Sequence, residues 1–330
     1  MCGDRLRFAP LALLAGAVMA VPAGTAGERD SWVAPLAAHS LLLDVAAHGD
    51  TRIAVGARGH ILVSDDAGES WRQSPRVPTT ALLTAVTLID ARHGWAVGHD
   101  EVILRTTDGG ASWTLVHDAP QAQRPLLDVW FADAQHGIAI GAYAAYYTTS
   151  DGGQSWSAQP FVVVNRAPAD AADGDDLPMD YHLNRIAMAG GRLYIAGEAG
   201  QVYRSDDGGA SWRLLPLPYD GSMYGLLPLD GDSLLVFGLR GNLFRSDDAG
   251  AHWARLPTDT VAMLTAGTRL DAHTLAIVGL SGAVLVSRDS GASFTLEQRE
   301  DRKGLAGVVA AGADALLAVG EAGVERIALQ

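Results

Sequence analysis

The segment Ser205-Asp206-Asp207-Gly208-Gly209-Ala210-Ser211-Trp212 occurs, with small changes, six times in this chain. The shared pattern is Ser/Thr-x-Asp-x-Gly-x-Ser-Trp, and each copy is called a box below. The boxes occupy residues 64–71, 106–113, 149–156, 205–212, 246–253, where His252 replaces the last serine, and 287–294, which ends in Phe294. Successive box aspartates lie 42, 43, 56, 41 and 41 residues apart. This period is typical of a repeated unit of about four short strands.

The residue types in the box indicate a hairpin. Apolar runs before and after each copy predict strands, and the box joins them. Its glycine can take the positive φ of a tight turn, and the aspartate and serine side chains can bond the turn's own N–H groups. The tryptophan offers a large apolar ring that can wedge between neighbouring sheets. We therefore predict a structural role for Asp66, Asp108, Asp151, Asp207, Asp248, Asp289, Trp71, Trp113, Trp156, Trp212 and Trp253.

A second marker, Gly-x-x-Gly or a close variant, precedes every box, and a seventh copy spans Gly320 to Gly323 with no box after it. At the other end of the chain, the sequence from Ser31-Trp32 to residue 36 matches residues 211–216, which follow a box. The pattern predicts an all-β fold, a seven-bladed β-propeller of four-stranded blades, closed by the N-terminal strand pairing in the last blade. Such closure would remove an exposed sheet edge. The alternative is six blades with a frayed end.

Composition indicates an exported protein. Residues 1–26 carry Arg5 and Arg7, then an apolar stretch, then small residues, which predicts a signal peptide. A retained anchor is the alternative, although the apolar stretch is short for a membrane span. The one cysteine, Cys2, lies ahead of that stretch, so the mature chain has no disulfide or thiolate metal site. The formal charge of −14 disfavours nucleic acid as a partner. We expect a propeller domain over 27–330, in the periplasm or secreted.

One interval departs from the period. The spacing of 56 residues places an insertion loop at about 161–182, which contains Asp170, Asp173, Asp175, Asp176 and Asp180. Clustered carboxylates are ligands that Ca²⁺ prefers, but their spacing fits no EF-hand. A solvated loop and a Ca²⁺ site both stay open, and long loops on rigid scaffolds often contact partners.

The two turn types should emerge at opposite ends of the blades. If the boxes join third to fourth strands, the Gly-x-x-Gly turns join second to third strands on the other face, where propellers usually bind their ligands. The candidate binding residues there are Arg58, His99, Asp100, Tyr143, Arg185, Glu198 and Arg240. Arg185, with Asp44 and Asp128, occupies matched positions of the innermost strands, so these three are expected to line the axial channel.

The boxes resemble the Asp-box, or bacterial neuraminidase repeat. The fuller form over residues 197–212 is similar to the repeat of photosystem II stability and assembly factors. That resemblance implies a non-enzymatic, seven-bladed protein of the thylakoid lumen or periplasm that binds a membrane protein during assembly through an arginine-rich surface. Here arginine occurs at the matched box position only as Arg105, Arg204 and Arg245, while Val63, Thr148 and Val286 stand in the other blades. The strongly negative total charge also departs from an arginine-patch mechanism.

The competing class is a sialidase-like glycoside hydrolase. Sialidases carry similar boxes, and use an arginine triad, a tyrosine nucleophile with a glutamate partner and an acidic proton donor. The nearest match to their Arg-Ile/Leu-Pro motif, at Arg76, follows the first box instead of preceding it, and no glutamate is close in sequence to Tyr219 or Tyr224. We predict a monomeric scaffold without cofactor, metal or catalytic residues. Its partner would be a membrane-embedded or exported protein.

Overall fold

The computed structural model describes residues 30–165 and 181–329. They form seven antiparallel sheets arranged in a ring, and the helical pieces among these residues are short 3-10 turns. The chain is therefore an all-β, seven-bladed propeller, and the six-bladed alternative is wrong. The predicted signal peptide at 1–26 lies outside the described residues.

The strands are numbered β1 to β27 in chain order. The first three blades contain β1 (Leu42–His48), β2 (Thr51–Gly56), β3 (Ile61–Ser64), β4 (Arg72–Gln73), β5 (Leu83–Leu88), β6 (Gly94–Gly98), β7 (Ile103–Thr106), β8 (Thr114–His117), β9 (Leu126–Phe131), β10 (Gly137–Gly141), β11 (Tyr146–Thr149) and β12 (Ser157–Ala158). The next two contain β13 (Leu183–Ala189), β14 (Arg192–Gly197), β15 (Val202–Ser205), β16 (Arg213–Leu214), β17 (Met223–Pro228), β18 (Leu234–Gly238), β19 (Leu243–Ser246) and β20 (Ala254–Leu256). The last two contain β21 (Leu264–Arg269), β22 (Leu275–Gly279), β23 (Ala283–Ser287), β24 (Thr295–Gln298), β25 (Leu305–Ala310), β26 (Ala315–Gly320) and β27 (Gly323–Ala328).

Short turns with a hydrogen bond between residues three positions apart connect some of these strands. They span Ala37–His39, Ala57–Gly59, His99–Glu101, Pro120–Ala122, Ala142–Ala144, Leu239–Gly241 and Leu280–Gly282.

Each blade is a meander whose second strand is almost entirely buried. In β10, β18 and β22 every residue is buried, because each of these strands lies inside the blade with apolar layers on both faces. The apolar clusters join residues of successive blades, such as Ile53 and Val63 of one blade with Val86 and Leu104 of the next. A blade therefore completes its core only when its neighbour packs against it.

The prediction that the N-terminal strand completes the last blade is wrong. In the described residues this sheet has three strands, β25 to β27, and Trp32 is 81% exposed. The Trp32 backbone carbonyl instead accepts a hydrogen bond from Gln73 of the first blade, and the Ser31 N–H donates to the Val77 carbonyl. The segment has no preceding box to form a hairpin and fix its register, so the Gln73 side chain and the Val77 carbonyl hold it instead.

The ring closes through its innermost strands instead. A Cβ added at Gly307 of β25 would lie 2.9 Å from the Cα of Asp44 in β1, so the last and first blades meet backbone to backbone. Ala311 and Leu317 of the last blade share an apolar cluster with Leu42 and Leu62 of the first. Close approach of the innermost strands β25 and β1, together with apolar side-chain packing, therefore closes the ring where strand pairing was expected.

All six boxes join the third strand of a blade to its fourth, and they share one hydrogen-bond pattern. In the fourth blade, the Ser205 hydroxyl donates to Asp207 Oδ1 at 2.7 Å and accepts from the Gly209 N–H at 2.8 Å. The Ser211 N–H and hydroxyl both donate to the same carboxylate, at 2.9 and 2.6 Å. These bonds lower the pKa of Asp207 to about 2. The box serine and aspartate side chains therefore bond the backbone of their own turn.

The box glycine faces the preceding blade. Gly209 has a φ of 95°, and an added Cβ would lie 2.5 Å from the Tyr146 hydroxyl and 2.8 Å from Ile138 of the third blade. The Tyr146 hydroxyl donates to the Gly209 carbonyl at 2.8 Å. The box is thus a turn and an inter-blade contact at once.

The first residues of the predicted insertion are ordered against the fourth blade. Phe161 packs on Tyr146, Tyr203 and Trp212, and Val163 forms a parallel bridge with Trp212. Asn165 exchanges side-chain hydrogen bonds with the Leu214 backbone. This part of the segment extends the blade's outer edge. The five aspartates named above lie outside the described residues.

Replacement of Trp212 by alanine tests the wedge role. Its ring is 1% exposed, so we expect Trp212→Ala to lower the free energy of unfolding by about 3–5 kcal/mol through the cavity it leaves. Trp32→Ala is the control, and at 81% exposure it should change the free energy by no more than about 0.5 kcal/mol. Urea unfolding of both variants measures the difference. Equal losses would contradict the placement of the two rings.

Candidate functional site

The Gly-x-x-Gly turns and their variants join second to third strands, and the first six share a backbone form with two consecutive residues of positive φ. In the first, the His60 N–H donates to the Ala57 carbonyl, and both Arg58 and Gly59 have positive φ, as a type I′ turn requires. This turn type matches the twist of the flanking strands, so the left-handed backbone at Arg58 is a property of the hairpin. The turns emerge at the end of each blade opposite the boxes, and we call that end the turn face.

The predicted face residues fall into separate groups. Tyr143, half exposed, meets the His182 ring edge to face at 5.1 Å. The Glu198 carboxylate lies 3.3 Å from His182 Nδ1 and accepts a hydrogen bond from the His182 backbone N–H. Tyr143 and Glu198 are therefore brought together on neighbouring turns, and His182 is the residue between them. Sequence reasoning placed His182 only as the last residue of the insertion.

The other turn residues stay apart. Arg58, Asp100 and Arg240 hold the same apex position in turns of three different blades, and Arg58 and Arg240 are exposed. His99 is also exposed, beside Asp100, which lines a cavity of about 230 Å³ with residues 78–81 of the preceding connection. The structure thus presents these groups as a ring of polar apices around the turn face.

Arg185 forms an axial cluster with Asp44 and Asp128. All three follow a register shift near the start of the innermost strands β13, β1 and β9. Arg185 Nη1 lies 3.6 Å from Asp44 Oδ2, and its Nε lies 3.4 Å from Asp128 Oδ2. The two carboxylates are 6% exposed, whereas the arginine side chain is 37% exposed. The guanidinium therefore faces the axis while bridging carboxylates from two blades.

Each carboxylate of this cluster also holds the next blade. Asp44 accepts a hydrogen bond from the Val86 N–H at 3.0 Å, and Asp128 accepts one from the Ile186 N–H at 2.8 Å. Burial raises the pKa of Asp44, and it raises that of Asp128 to about 6, against the opposing effect of Arg185. The two carboxylates raise the pKa of Arg185, so the arginine stays charged.

Glu101 is buried, although it belongs to a turn of this face. It is 1% exposed, because its carboxylate points between the second and third blades. Arg124 lies 2.6 Å from Oε1, and the Tyr147 hydroxyl donates to Oε2 at 2.7 Å. Burial and the adjacent carboxylate raise the pKa of Tyr147 to about 12. Sequence spacing could not reveal the contact between Glu101 and Tyr147, because these residues are 46 positions apart.

The box arginines are inter-blade contacts. Arg105 donates to the Gly152 carbonyl at 2.9 Å, Arg204 to the Ala249 carbonyl at 3.1 Å, and Arg245 to the Ser290 carbonyl at 2.8 Å. In each pair the acceptor lies in the box of the next blade. These arginines therefore contribute to the junctions between blades and do not form a free basic patch.

Two structural findings bear on partners and metals. Within 30–165 and 181–329, no group of three or more histidine, cysteine or acidic side chains is placed to hold a metal ion. The helices of these same ranges are all too short or too polar to cross a bilayer.

The pKa of Asp128 tests the electrostatics of the axial cluster. Carboxyl NMR titration should place it near 6 in the wild type and higher in Arg185→Met, because that variant removes the cation that favours the charged form. Since the folded-state pKa is raised, the stability that this group contributes is complete below about pH 4 and is lost as pH rises through 6.

Asp128→Asn keeps an acceptor for the Ile186 N–H. It should abolish the pH-dependent contribution of Asp128 to the free energy of unfolding, as measured by urea unfolding at several pH values. Asp207 is the control carboxylate and should titrate near 2 in every variant. An Asp128 pKa near its ordinary value would contradict the burial of the cluster.

Comparisons with known proteins agree with this architecture. A family model described as photosynthesis system II assembly factor YCF48 matches residues 116–275. A solved structure described as YCF48 bound to D1 peptide is similar to this chain, with a TM-score of 0.69 and 17% sequence identity, over 88% of this chain and 94% of that one. YCF48 from Cyanidioschyzon merolae is similar with a TM-score of 0.66 and 17% identity, over 91% of this chain and 99% of that one. No curated protein matches in sequence.

A structural likeness at 17% sequence identity establishes the fold. The family model adds that the sequence of residues 116–275 is similar to that of the YCF48 repeats. The chain is a seven-bladed β-propeller that resembles the photosystem II assembly factors of the YCF48 type.

Proposed function

We propose that this protein is a non-enzymatic, extracytoplasmic scaffold that binds a membrane-embedded or exported protein on its turn face. The observation that carries the proposal is the ring of apices, in which Arg58, Tyr143 and Arg240 project from rigid hairpins. Exposed side chains on short turns of a rigid scaffold suit recognition of an extended protein segment. The axial guanidinium of Arg185 adds a charged group at the centre of the ring.

The comparisons support a protein partner. The similar YCF48 structure holds a D1 peptide, and the matching family is described as an assembly factor. By analogy, the partner of this chain would be a polypeptide met during assembly of a membrane complex. Location in the periplasm, or in a thylakoid-lumen-like compartment of a phototroph, follows from the predicted signal peptide, and a monomeric state is part of the same proposal.

The geometry gives little support to the hydrolase alternative. Tyr147 and Glu101 form the kind of tyrosine and glutamate pair that sialidases use, but they are 7% and 1% exposed. The pKa of the tyrosine is raised, which disfavours the phenolate that a nucleophile requires. The axial carboxylates of Asp44 and Asp128 accept backbone hydrogen bonds and an arginine, so they are committed to the ring.

Capture from membranes tests the proposed face. Immobilised protein over 27–330 should retain a defined set of polypeptides from solubilised membranes of its host. The triple variant Arg58→Ala, Tyr143→Ala and Arg240→Ala should retain about tenfold less, because it removes three exposed apices. The exposed box residue Gln154, changed to alanine, is the control on the opposite face. Equal capture by the triple variant and the control would contradict the proposal.

An activity assay separates the two classes of function. A fluorogenic sialoside should be hydrolysed no faster by the wild type than by Tyr147→Phe, which removes the hydroxyl that a sialidase-type mechanism would use. Turnover that is lost in Tyr147→Phe would establish the hydrolase instead.

A further inference from the structure

The junctions between blades differ on the box face. At three of them an arginine of one blade, Arg105, Arg204 or Arg245, donates a hydrogen bond to a backbone carbonyl in the box of the next blade. The three guanidinium groups bond the same backbone carbonyl of the box, the residue that follows its aspartate. The junction thus has a recurring acceptor and a recurring donor.

The junction between the third and fourth blades lacks this donor. Thr148 stands at the arginine position, half-buried as the three arginines are, and its side chain is too short to cross. A cavity of about 390 Å³ lies there, lined by Thr148 and by Gly208, whose position in the box matches that of the three acceptors. Trp130, His136 and Ser150 also line it.

The junction between the fifth and sixth blades is a matched comparison. There the same positions are held by Leu229, Ser233, Arg245 and Ser290, and the remaining cavity is about 80 Å³. At the junction between the third and fourth blades, the corresponding residues are Ala132, His136, Thr148 and Gly208. The larger volume therefore accompanies the loss of one arginine side chain and the exchange of leucine for alanine.

We propose that the cavity between the third and fourth blades, here called the Thr148 groove, binds an arginine side chain of a partner protein. The incoming guanidinium would take the place that Arg105, Arg204 and Arg245 occupy at the other junctions, and would donate to the Gly208 carbonyl. This groove is on the face opposite the turn face. The inference goes beyond the proposed function and stands independently of it.

The walls of the groove suit a guanidinium. Trp130 supplies an aromatic surface on which a planar cation can stack, and the Thr148 and Ser150 hydroxyls are further acceptors. The carboxylate of Asp133 pairs with His136 at 2.9 Å, and hydrogen bonds hold the pKa of Asp133 at about 2. A negative charge therefore stays beside the groove at neutral pH. The chain's net charge of −14 also attracts a cationic partner.

Arginine fits this site better than lysine. At the three junctions that have an arginine, called the sister junctions, the donor atom is Nε of Arg105 or Nη1 of Arg204 and Arg245. Different edges of the planar guanidinium group can therefore reach the carbonyl. Lysine presents a compact, strongly hydrated charge without that fork or a stacking plane. A groove shaped by the loss of arginine should therefore discriminate between the two side chains.

The probe for this site is the blocked tripeptide acetyl-Gly-Arg-Gly-amide, with acetyl-Gly-Lys-Gly-amide as its counterpart. In ¹⁵N-labelled protein, the arginine peptide should shift the Gly208 amide and the Trp130 indole N–H, saturating in the millimolar range expected for one side chain. The lysine peptide should bind at least about threefold more weakly. Absence of a saturable shift at these two groups would overturn the proposal.

Thr148→Arg is the decisive variant, because it rebuilds the sister junction and fills the groove from within. It should fold with an unchanged or higher unfolding temperature, and weaken binding of the arginine peptide at least tenfold. Thr148→Ser leaves the groove open and should bind as the wild type does. Unchanged binding by a folded Thr148→Arg would overturn the proposal.

Arg245→Thr provides a gain-of-function arm. It opens the junction between the fifth and sixth blades, so the arginine peptide should now also shift the Ser290 amide, which it leaves unaffected in the wild type. If the variant loses stability, the peptide should raise its unfolding temperature more than the lysine peptide does. A folded Arg245→Thr without a Ser290 response would contradict the idea that a vacated arginine position makes the site.

Discussion

The structure depends on contact between each blade and the next, because no blade completes its own core. Apolar clusters combine residues of successive sheets, and side chains cross to the neighbouring backbone at both ends of the strands. Near the axis, Asp44 and Asp128 accept the Val86 and Ile186 N–H groups. At the box face, arginines donate to box carbonyls of the following blade. Buried charge is tolerated at the axis because each carboxylate is hydrogen-bonded and shares a guanidinium.

This arrangement explains how one repeat can carry different surfaces. The box and the type I′ turn fix the backbone of each blade, so a substitution at one matched position alters a junction without altering the fold. Arginine closes the junction at Arg204, whereas Thr148 leaves it open. Glycine suits the turn at Gly59, whereas Glu101 at the matched position carries a carboxylate into the space between blades. Variation at such positions gives a symmetric scaffold its distinct sites.

Much of the fold was predictable because its signals are local. Box spacing and the glycine pairs identified seven blades, and they placed boxes and turns on opposite faces. Ring closure was not predictable, since the match of Ser31-Trp32 to a box end carries no hairpin to fix its register. Matched positions also identified Arg185, Asp44 and Asp128, but their burial and pairing depend on blades far apart in sequence. The role of the binding face stays a prediction, because exposed apices carry no local sign of their partner.

Amide hydrogen exchange at Val86 and Ile186 tests the inter-blade account most directly. Both N–H groups lie on innermost strands and point away from the strand ladder, toward a carboxylate of the preceding blade. The account predicts that they exchange as slowly as amides of the buried strand β10, and that Asp128→Ala releases Ile186 while leaving Val86 protected. Fast exchange of both amides in the wild-type protein would contradict it.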